Sequence, residues 1–493
     1  MYVLCAMSTT TVYCVPWAGH VTISILPDDV LLLIFRFDRL VFLDGLCPDP
    51  LWDPPWRWHR LIHVCRRWRS LVFASPNYLD LRLFCGLKTN LKLMGIWPPL
   101  PVIVRNIMFF SILKDHDSDA GIVHHNRVYE IKLLITGPGL KRLALAMQEQ
   151  FPALVHLVLY FVHIDSRHPN PTLPDRLLGG SAPRLQSLKT HSISFPALPK
   201  LLLSATHLVH LDLRAIPQSG YMSPEAFVTG LAASANLEFI RIEFRSSRSL
   251  PYRESRCQPP PIRTVLPTLT RIELIGASEW LEDVVARIDV PLLDSTWISF
   301  FHQPIFDIPQ VSRFLRRTAK FQALKEAHMD VGYDRVHVGS LRPTQKHNNS
   351  SGFGISCRGM DRQVSSLVQV ITSFFPSIYV VEDLYIHGAE DLYIYGAEFS
   401  LQQWQDGTED ARWLEIFHPF TGVKNLYVFK EFAQRISPAL LEVEERVGDV
   451  LPTLECLFVE NLEPSGPVWE DLGQFVAARQ LLCRPVTVSR WDR

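Results

Sequence analysis

The sequence predicts an α+β protein in which a small N-terminal helical module precedes a long, irregular α/β array of strand–helix units. Two apolar helical patterns lie within residues 24–75, and a proline-rich stretch separates them. Beyond about residue 126, a short phrase of alternating apolar residues recurs at intervals of 23 to 32 residues. At 493 residues, with 47% hydrophobic and 20% charged residues, the chain is long enough for more than one packed core.

The net charge and the cysteine spacing argue against several classes of protein. The 49 basic and 50 acidic residues leave a net charge of −1, whereas a dedicated nucleic-acid binder carries a basic surplus. The nine cysteines are scattered without a CxxC pair, which argues against a zinc ribbon or a disulfide framework. We therefore expect a cytoplasmic or nuclear protein, no membrane partner, and a disordered leader over residues 1–23 without signal-peptide features.

The first helical pattern follows Leu26-Pro27-Asp28-Asp29. Proline is favoured in the first turn of a helix, where its missing N–H would have no partner anyway. The two aspartates place negative charge at the positive end of the helix dipole. The following segment, 30–35, is apolar on nearly every side, so this helix must bury more than one face.

The second pattern predicts a single amphipathic helix from Trp58 to Phe73, after a proline-rich loop over residues 42–56. At 100° per residue, one apolar sector collects five side chains: Trp58, Leu61, Cys65, Trp68 and Val72. Arginine, histidine and serine side chains occupy the opposite sector. This placement predicts that the Cys65 thiol is buried and inert rather than reactive.

Together, Leu26-Pro27-Asp28-Asp29-Val30 and Val64-Cys65-Arg66-Arg67-Trp68 resemble the F-box, a leading Leu-Pro and apolar helix followed by a Val-Cys-Arg-x-Trp stretch. A connecting extension follows over 76–125, and its first part, to about residue 105, resembles the extension of a group of fungal F-box proteins. The resemblance implies that residues 24–75 bind a Skp-type adaptor and, through it, a cullin scaffold. The adaptor-binding residues would be Leu26, Pro27, Val30, Ile34, Phe35, Val64, Cys65 and Trp68. Alternatively, these eight side chains form the core of a small helical domain.

The recurrent phrase of residues 126–493 begins with an apolar marker residue after a turn. The eight markers are Leu154, Leu185, Leu208, Leu237, Leu269, Leu292, Val423 and Leu454. Alternating apolar positions predict a strand in each phrase, and stretches such as 223–231 and 439–447 predict helices between strands. The region resembles an irregular leucine-rich-repeat solenoid with a mainly parallel sheet, which would bind a protein substrate. A non-repeating α/β domain is the alternative.

Two segments depart from this repeat pattern. Polar residues and three closely spaced glycines predict a loop insertion near 340–362. Residues 382–389 and 390–397 form a tandem repeat that is identical at seven of eight positions. Since one copy can serve as the original strand, we expect the other to be an extra strand or a bulged loop.

No catalytic, cofactor or metal motif emerges from the sequence. Asp115, Asp117 and Asp119 match the first ligand positions of a calcium loop, but Ala120 and Asn126 replace its glycine and glutamate. The resemblance to the F-box implies a non-enzymatic substrate-recognition subunit of an SCF-type cullin–RING ubiquitin ligase. The alternative is a repeat scaffold whose F-box no longer recruits a ligase.

Overall fold

The computed structural model describes most of the chain. The described residues are 23–40, 58–85, 100–106, 125–162, 172–246, 262–301, 308–322, 325–331, 335–340, 352–358, 381–388, 417–418, 420–429, 432–433, 436–437, 440, 450–462 and 466–491. The chain divides into two compact units, Met1–Phe84 with Lys92–Pro101, and Cys85–Leu91 with Val102–Arg493. The leader 1–22, the proline-rich loop, the aspartates at 115–119 and the second tandem copy lie outside the described residues.

The smaller unit is helical. It contains α1 (Asp28–Leu40), α2 (Trp58–Ile62) and α3 (Arg66–Ala74). The short strand β1 (Leu83–Cys85) begins in this unit, and its last residue is assigned to the larger unit. The buried side chains come from all three helices and from the segment after them: Leu31, Phe35, Trp58, Ile62, Val72, Leu79 and Leu81. The Trp58 indole N–H also donates to the Arg82 carbonyl at 3.1 Å, which fixes that segment against α2.

The prediction of one continuous helix from Trp58 to Phe73 is wrong. The chain leaves the helical conformation at Cys65, which is extended with φ −156° and ψ 170°, and α3 starts anew at Arg66. The Cys65 thiol caps the new helix by accepting from the Trp68 N–H at 3.5 Å. The Arg69 side chain donates to the Ile62 carbonyl at the end of α2. Local side-chain bonds of this kind compete with helix continuation.

The larger unit is a mixed α/β fold with a large, mainly parallel sheet, as the sequence predicts. Its main strands are β2 (Val102–Asn106), β3 (Val128–Ile135), β4 (His156–Phe161), β5 (Ser187–His191), β6 (His210–Ile216), β7 (Phe239–Phe244), β9 (Arg271–Gly276), β11 (Ser295–Phe300), β12 (Glu326–Val331), β13 (Arg335–Gly339), β14 (Gly352–Arg358), β15 (Asp383–Gly388), β16 (Asn425–Val428), β17 (Cys456–Glu460) and β18 (Thr487–Trp491). Two short strands, β8 (Thr264–Val265) and β10 (Ile288–Asp289), pair separately.

The described helices of this unit lie between strands in the sequence. They are α4 (Gly137–Ala146), α5 (Leu198–Leu202), α6 (Pro224–Leu231), α7 (Ser278–Arg287), α8 (Pro309–Arg317), α9 (Ala319–Gln322) and α10 (Pro467–Leu481). The helix predicted at 223–231 is confirmed, with Ser223 as its N-cap. Of the helix predicted at 439–447, only Leu440 lies within the described residues, and it is helical.

A common turn precedes the strands. In most phrases the marker leucine is buried, and its N–H donates to the carbonyl three residues earlier, as in Leu154 to Phe151 and Leu454 to Leu451. One assignment is wrong: Leu293 occupies this position in the phrase at 291–298, whereas Leu292 is 56% exposed. Two adjacent leucines fit the pattern equally well, and only packing distinguishes them.

Strand alternation gives the sheet two chemically different faces. The side chains of Leu211, Ile240 and Ile272, which are in register on neighbouring strands, belong to the apolar face. Described helices pack there, since Trp280 of α7 meets Phe244 of β7 at 4.9 Å between ring centroids. The opposite face carries charged, histidine and aromatic side chains, and we call it the polar face.

The sheet reverses direction once in its middle. Its strands run in the order β11-β14-β13-β12-β15, and β13 is antiparallel to both of its neighbours. The loop predicted over 340–362 is therefore wrong for Gly352–Arg358, which forms β14 and pairs in parallel with β11. The first tandem copy supplies β15, which confirms that one copy serves as a strand.

No helix within the described segments has both the length and the apolar character needed to cross a membrane.

Candidate functional site

Helix α1 presents apolar side chains on two sides. Leu31 and Phe35, one turn apart, are buried in the smaller unit. Val30 is half-buried, while Leu33, Ile34 and Phe37 are exposed, and these four follow the i, i+3, i+4, i+7 spacing of one helix face. Phe37 is 67% exposed, which is unusual for a phenylalanine. We call Val30, Leu33, Ile34 and Phe37 the outer stripe of α1.

The eight residues predicted to bind an adaptor separate into two groups in the structure. Phe35 is buried, and its ring meets the half-buried Trp68 ring at 4.7 Å between centroids. This pair belongs to the core of the module. The other six are accessible, either half-buried or exposed: Leu26, Pro27, Val30, Ile34, Val64 and Cys65.

Arg67 joins α3 to the entrance of α1. Its guanidinium forms an ion pair with Asp28 at 2.6 Å and donates to the Leu26 carbonyl at 2.6 Å. Because the pair is largely exposed, it contributes little to stability, typically about 0–1 kcal/mol. Its effect is positional: it fixes Leu26 and Pro27 next to the first turn of α3.

Sequence reasoning missed Leu33 and Phe37 and placed Cys65 incorrectly. The signal for the first two was present, because a helix that is apolar all round must expose one apolar face when its module is small. The burial predicted for Cys65 is wrong: the thiol is exposed, as is Val64. Both residues lie at the break between α2 and α3, where the angular spacing of one continuous helix no longer applies.

Over β5–β9, the polar face carries a network of matched charges. The Asp212 carboxylate accepts a bidentate bond from Arg214, at 2.9 and 2.8 Å. Arg241 binds Glu243 at 2.8 Å and Glu273 at 3.1 Å. Buried charges are tolerated when they are paired in this way, and each of the three carboxylates has a guanidinium partner.

A stack of side chains lies beside this network. The His210 ring stacks on Phe239 at 4.3 Å, and the Arg271 guanidinium lies over the same phenylalanine at 4.6 Å. Burial, followed by the positive charge of Lys189, lowers the pKa of His210 to about 4. His210 is therefore neutral at physiological pH and packs as an uncharged ring against Phe239.

Over β12–β18, the polar face is aromatic. His328, Tyr385, Tyr427 and Phe458 stand in register on four neighbouring strands, with successive centroid distances of 4.7, 4.3 and 4.6 Å. We call these four rings the aromatic ladder. Trp491 packs edge-on against the two middle rings, with its centroid 5.4 Å from that of Tyr427 and 6.3 Å from that of Tyr385. Burial, with contributions from Tyr427, Glu326 and Asp383, raises the pKa of Tyr385 to about 12.

The point of strand reversal is also packed by aromatic rings. Trp297 of β11 and His337 of β13 stack at 4.5 Å with an interplanar angle of 6°. Gly354 of the strand between them leaves the space for both rings, because a Cβ atom there would stand 2.6 Å from Trp297 and 2.7 Å from His337. The glycine is thus required by packing.

No family model matches the chain, and no curated protein is significantly similar to it. Within the described residues, no three histidine, cysteine or acidic side chains come together as a metal site.

Proposed function

We propose that this chain is an F-box-type substrate-recognition subunit of a cullin–RING ubiquitin ligase. Its N-terminal module would bind a Skp-type adaptor, and its larger unit would bind a protein substrate. In this role the chain has no catalytic residues of its own and acts in the cytoplasm or nucleus.

The observation that carries this proposal is the outer stripe of α1. Leu33, Ile34 and Phe37 expose a contiguous apolar surface on a module whose sequence resembles the F-box. Exposed apolar patches on small modules mark protein-interaction sites. Pro27 and Val64 add exposed apolar surface near the same helices.

We further infer that the larger unit is an irregular leucine-rich-repeat-like solenoid. The tetrad Leu-Pro-Thr-Leu occurs at 266–269 and at 451–454. Thr268 donates to the Ala235 and Leu237 carbonyls of the preceding phrase, and Thr453 bonds in the same way to Thr421 and Val423. Identical bonds at equivalent positions 185 residues apart support a repeated unit.

A second recurrent bond pattern supports the same inference. The carbonyl just before many of the strands accepts two N–H groups from the next phrase, as Val209 accepts from Glu238 and Phe239 at 2.9 and 3.1 Å. The pattern recurs at Gln186, Glu238, Thr270, Lys325, Glu382 and Lys424. Stacked repeats of this kind present a continuous surface for partner binding.

Co-purification of the full chain with a Skp-type adaptor tests the proposed docking. The variant Ile34→Ala with Phe37→Ala removes apolar surface outside the core, so we expect a correctly folded chain that binds the adaptor at least about 30-fold more weakly. The matched control truncates two exposed leucines of the larger unit, Leu145→Ala with Leu203→Ala, and should bind like the wild type.

The result is read together with circular dichroism, because a misfolded module would also fail to bind. A wild-type chain that does not hold the adaptor would overturn the ligase role and favour a repeat scaffold. Equal binding by the wild type and the Ile34/Phe37 variant would show that the outer stripe is not the docking surface.

A further inference from the structure

Two acidic residues and an asparagine border the aromatic ladder at the amino ends of its strands. Glu326, Asp383 and Asn425 are in register on β12, β15 and β16, two residues before the ring-bearing positions. Because side chains two residues apart share a face of the sheet, these groups lie on the polar face beside the rings. The Glu326 side chain is 61% exposed.

The two carboxylates of this border lack the guanidinium partners that the acidic groups have over β5–β9. The neighbouring Glu382 forms ion pairs with two lysines, Lys325 at 2.9 Å and Lys424 at 3.2 Å. Asp383 instead accepts from the uncharged amide of Asn425 at 2.8 Å. In the part of the chain that the structure describes, neither Glu326 nor Asp383 pairs with a lysine or arginine.

We propose that the three half-buried rings of the aromatic ladder, Tyr385, Tyr427 and Phe458, form with the two carboxylates a binding surface for an extended basic peptide segment of a partner protein. The fourth ring, His328, is itself buried and supports the stack. An arginine or lysine of the partner would place its charge at Glu326 and Asp383 and lay its aliphatic stem along the tyrosine edges. The inference names the substrate class for the receptor role proposed above and rests on that role for its biological meaning.

Size and charge favour this occupant. Four strands spaced about 4.8 Å apart give a ladder about 14 Å wide, the length of four to five extended residues. Tyrosines supply a large, rigid contact area at a low entropic cost. The two carboxylates would repel the phosphates of a nucleic acid, whereas they attract a guanidinium or ammonium group.

The test is fluorescence anisotropy of the full chain with a dye-labelled hexapeptide of alternating arginine and leucine. Matched probes replace each arginine with uncharged citrulline or with glutamate. We expect saturable binding of the arginine peptide and at least about tenfold weaker binding of the citrulline peptide, the effect of losing one well-placed charge pair. Raising the salt concentration should weaken binding of the arginine peptide.

Variants locate the site. Glu326→Gln with Asp383→Asn should weaken binding of the arginine peptide about tenfold, so that the arginine and citrulline peptides bind this variant with equal affinity. The control, Glu225→Gln with Glu279→Gln, removes two exposed carboxylates from α6 and α7 and should bind within twofold of the wild type. Tyr427→Leu keeps apolar bulk but interrupts the ladder, and it should also weaken binding.

Several outcomes would overturn the inference. These are no saturable binding up to about 1 mM, equal binding of the arginine and citrulline peptides, and tighter binding of the glutamate peptide or of a single-stranded oligonucleotide. Dimerisation that is abolished by the Glu326/Asp383 variant would instead assign the surface to a second copy of the chain. Adaptor co-purification from the same preparations separates the two proposals: adaptor binding without peptide binding rejects only this one.

Discussion

Truncation of Leu293 and truncation of its neighbour Leu292 should have very different effects on stability. The two leucines are adjacent in the turn before β11, yet Leu293 is 1% exposed and Leu292 is 56% exposed. Leu293→Ala therefore removes buried apolar atoms and leaves a cavity, while Leu292→Ala removes atoms that are largely in water.

The expected magnitude follows from burial. A fully buried leucine truncated to alanine typically lowers the free energy of unfolding by about 3 kcal/mol, within a range of roughly 2–5 kcal/mol. An exposed substitution stays within about 0.5 kcal/mol. The larger unit has about 400 residues, so its unfolding entropy is roughly 0.8 kcal/mol/K and 3 kcal/mol corresponds to a Tm decrease of about 4 °C.

Differential scanning calorimetry of both variants measures this contrast, and the transition of the larger unit must first be identified because a chain of two units need not unfold in one step. We expect a clear decrease in Tm for Leu293→Ala and almost none for Leu292→Ala. Equal decreases, or a larger one for Leu292→Ala, would refute the assignment of Leu293 to the buried position of the turn.

Three further predictions concern the larger unit. Thr268→Val should lower the free energy of unfolding by about 1–2 kcal/mol in chemical denaturation, since two carbonyls lose their donor, while Thr268→Ser should retain most of it. The folded-state pKa of His210 lies below its unfolded value of 6.5, so its stabilising effect is complete above pH 6.5 and is lost as the pH falls towards 4. His210→Phe, which keeps an aromatic ring against Phe239, should reduce that loss in pH-dependent melting; an unchanged pH profile would reject the assignment. Gly354→Ala should cost about 1–3 kcal/mol by overpacking, and Trp297→Leu in the same chain should recover part of it, measured by thermal unfolding.

Much of the larger unit could be predicted because its strands are encoded locally. Alternating apolar residues after a turn predicted β4, β5, β6, β7 and β9 and their parallel arrangement. The signal is strong where one face of a strand is uniformly leucine or isoleucine, as at Leu211 and Leu213, because these side chains must face the helices. Where two leucines are adjacent, as at 292 and 293, the pattern does not show which of them is buried.

The reversal of β13 could not be predicted in this way. Gly352 and Gly354 indicate a loop when they are considered locally, whereas in the sheet a glycine at 354 makes room for the rings of Trp297 and His337. Those partners are 57 and 17 residues away in the sequence. A glycine that is required by distant side chains looks the same in the sequence as one required by a turn.

The N-terminal site was predictable in part for a related reason. The apolar character of α1 indicated two buried faces, but the sequence did not distinguish Phe35, which faces the core, from Ile34 and Phe37, which face outward. The break at Cys65 depends on a thiol that caps a backbone N–H, and periodicity does not report such a bond.

The reversed strand has a consequence for synthesis of the chain on the ribosome. β11 ends at Phe300, and its partner on the outer side, β14, begins only at Gly352. At about 5–20 residues per second, the backbone edge of β11 waits several seconds for its partner, even though β12 has already been made. An unpaired strand edge is a template for pairing with other chains. The middle of this sheet is therefore a part of the nascent protein where a chaperone that covers the exposed edge would prevent mispairing.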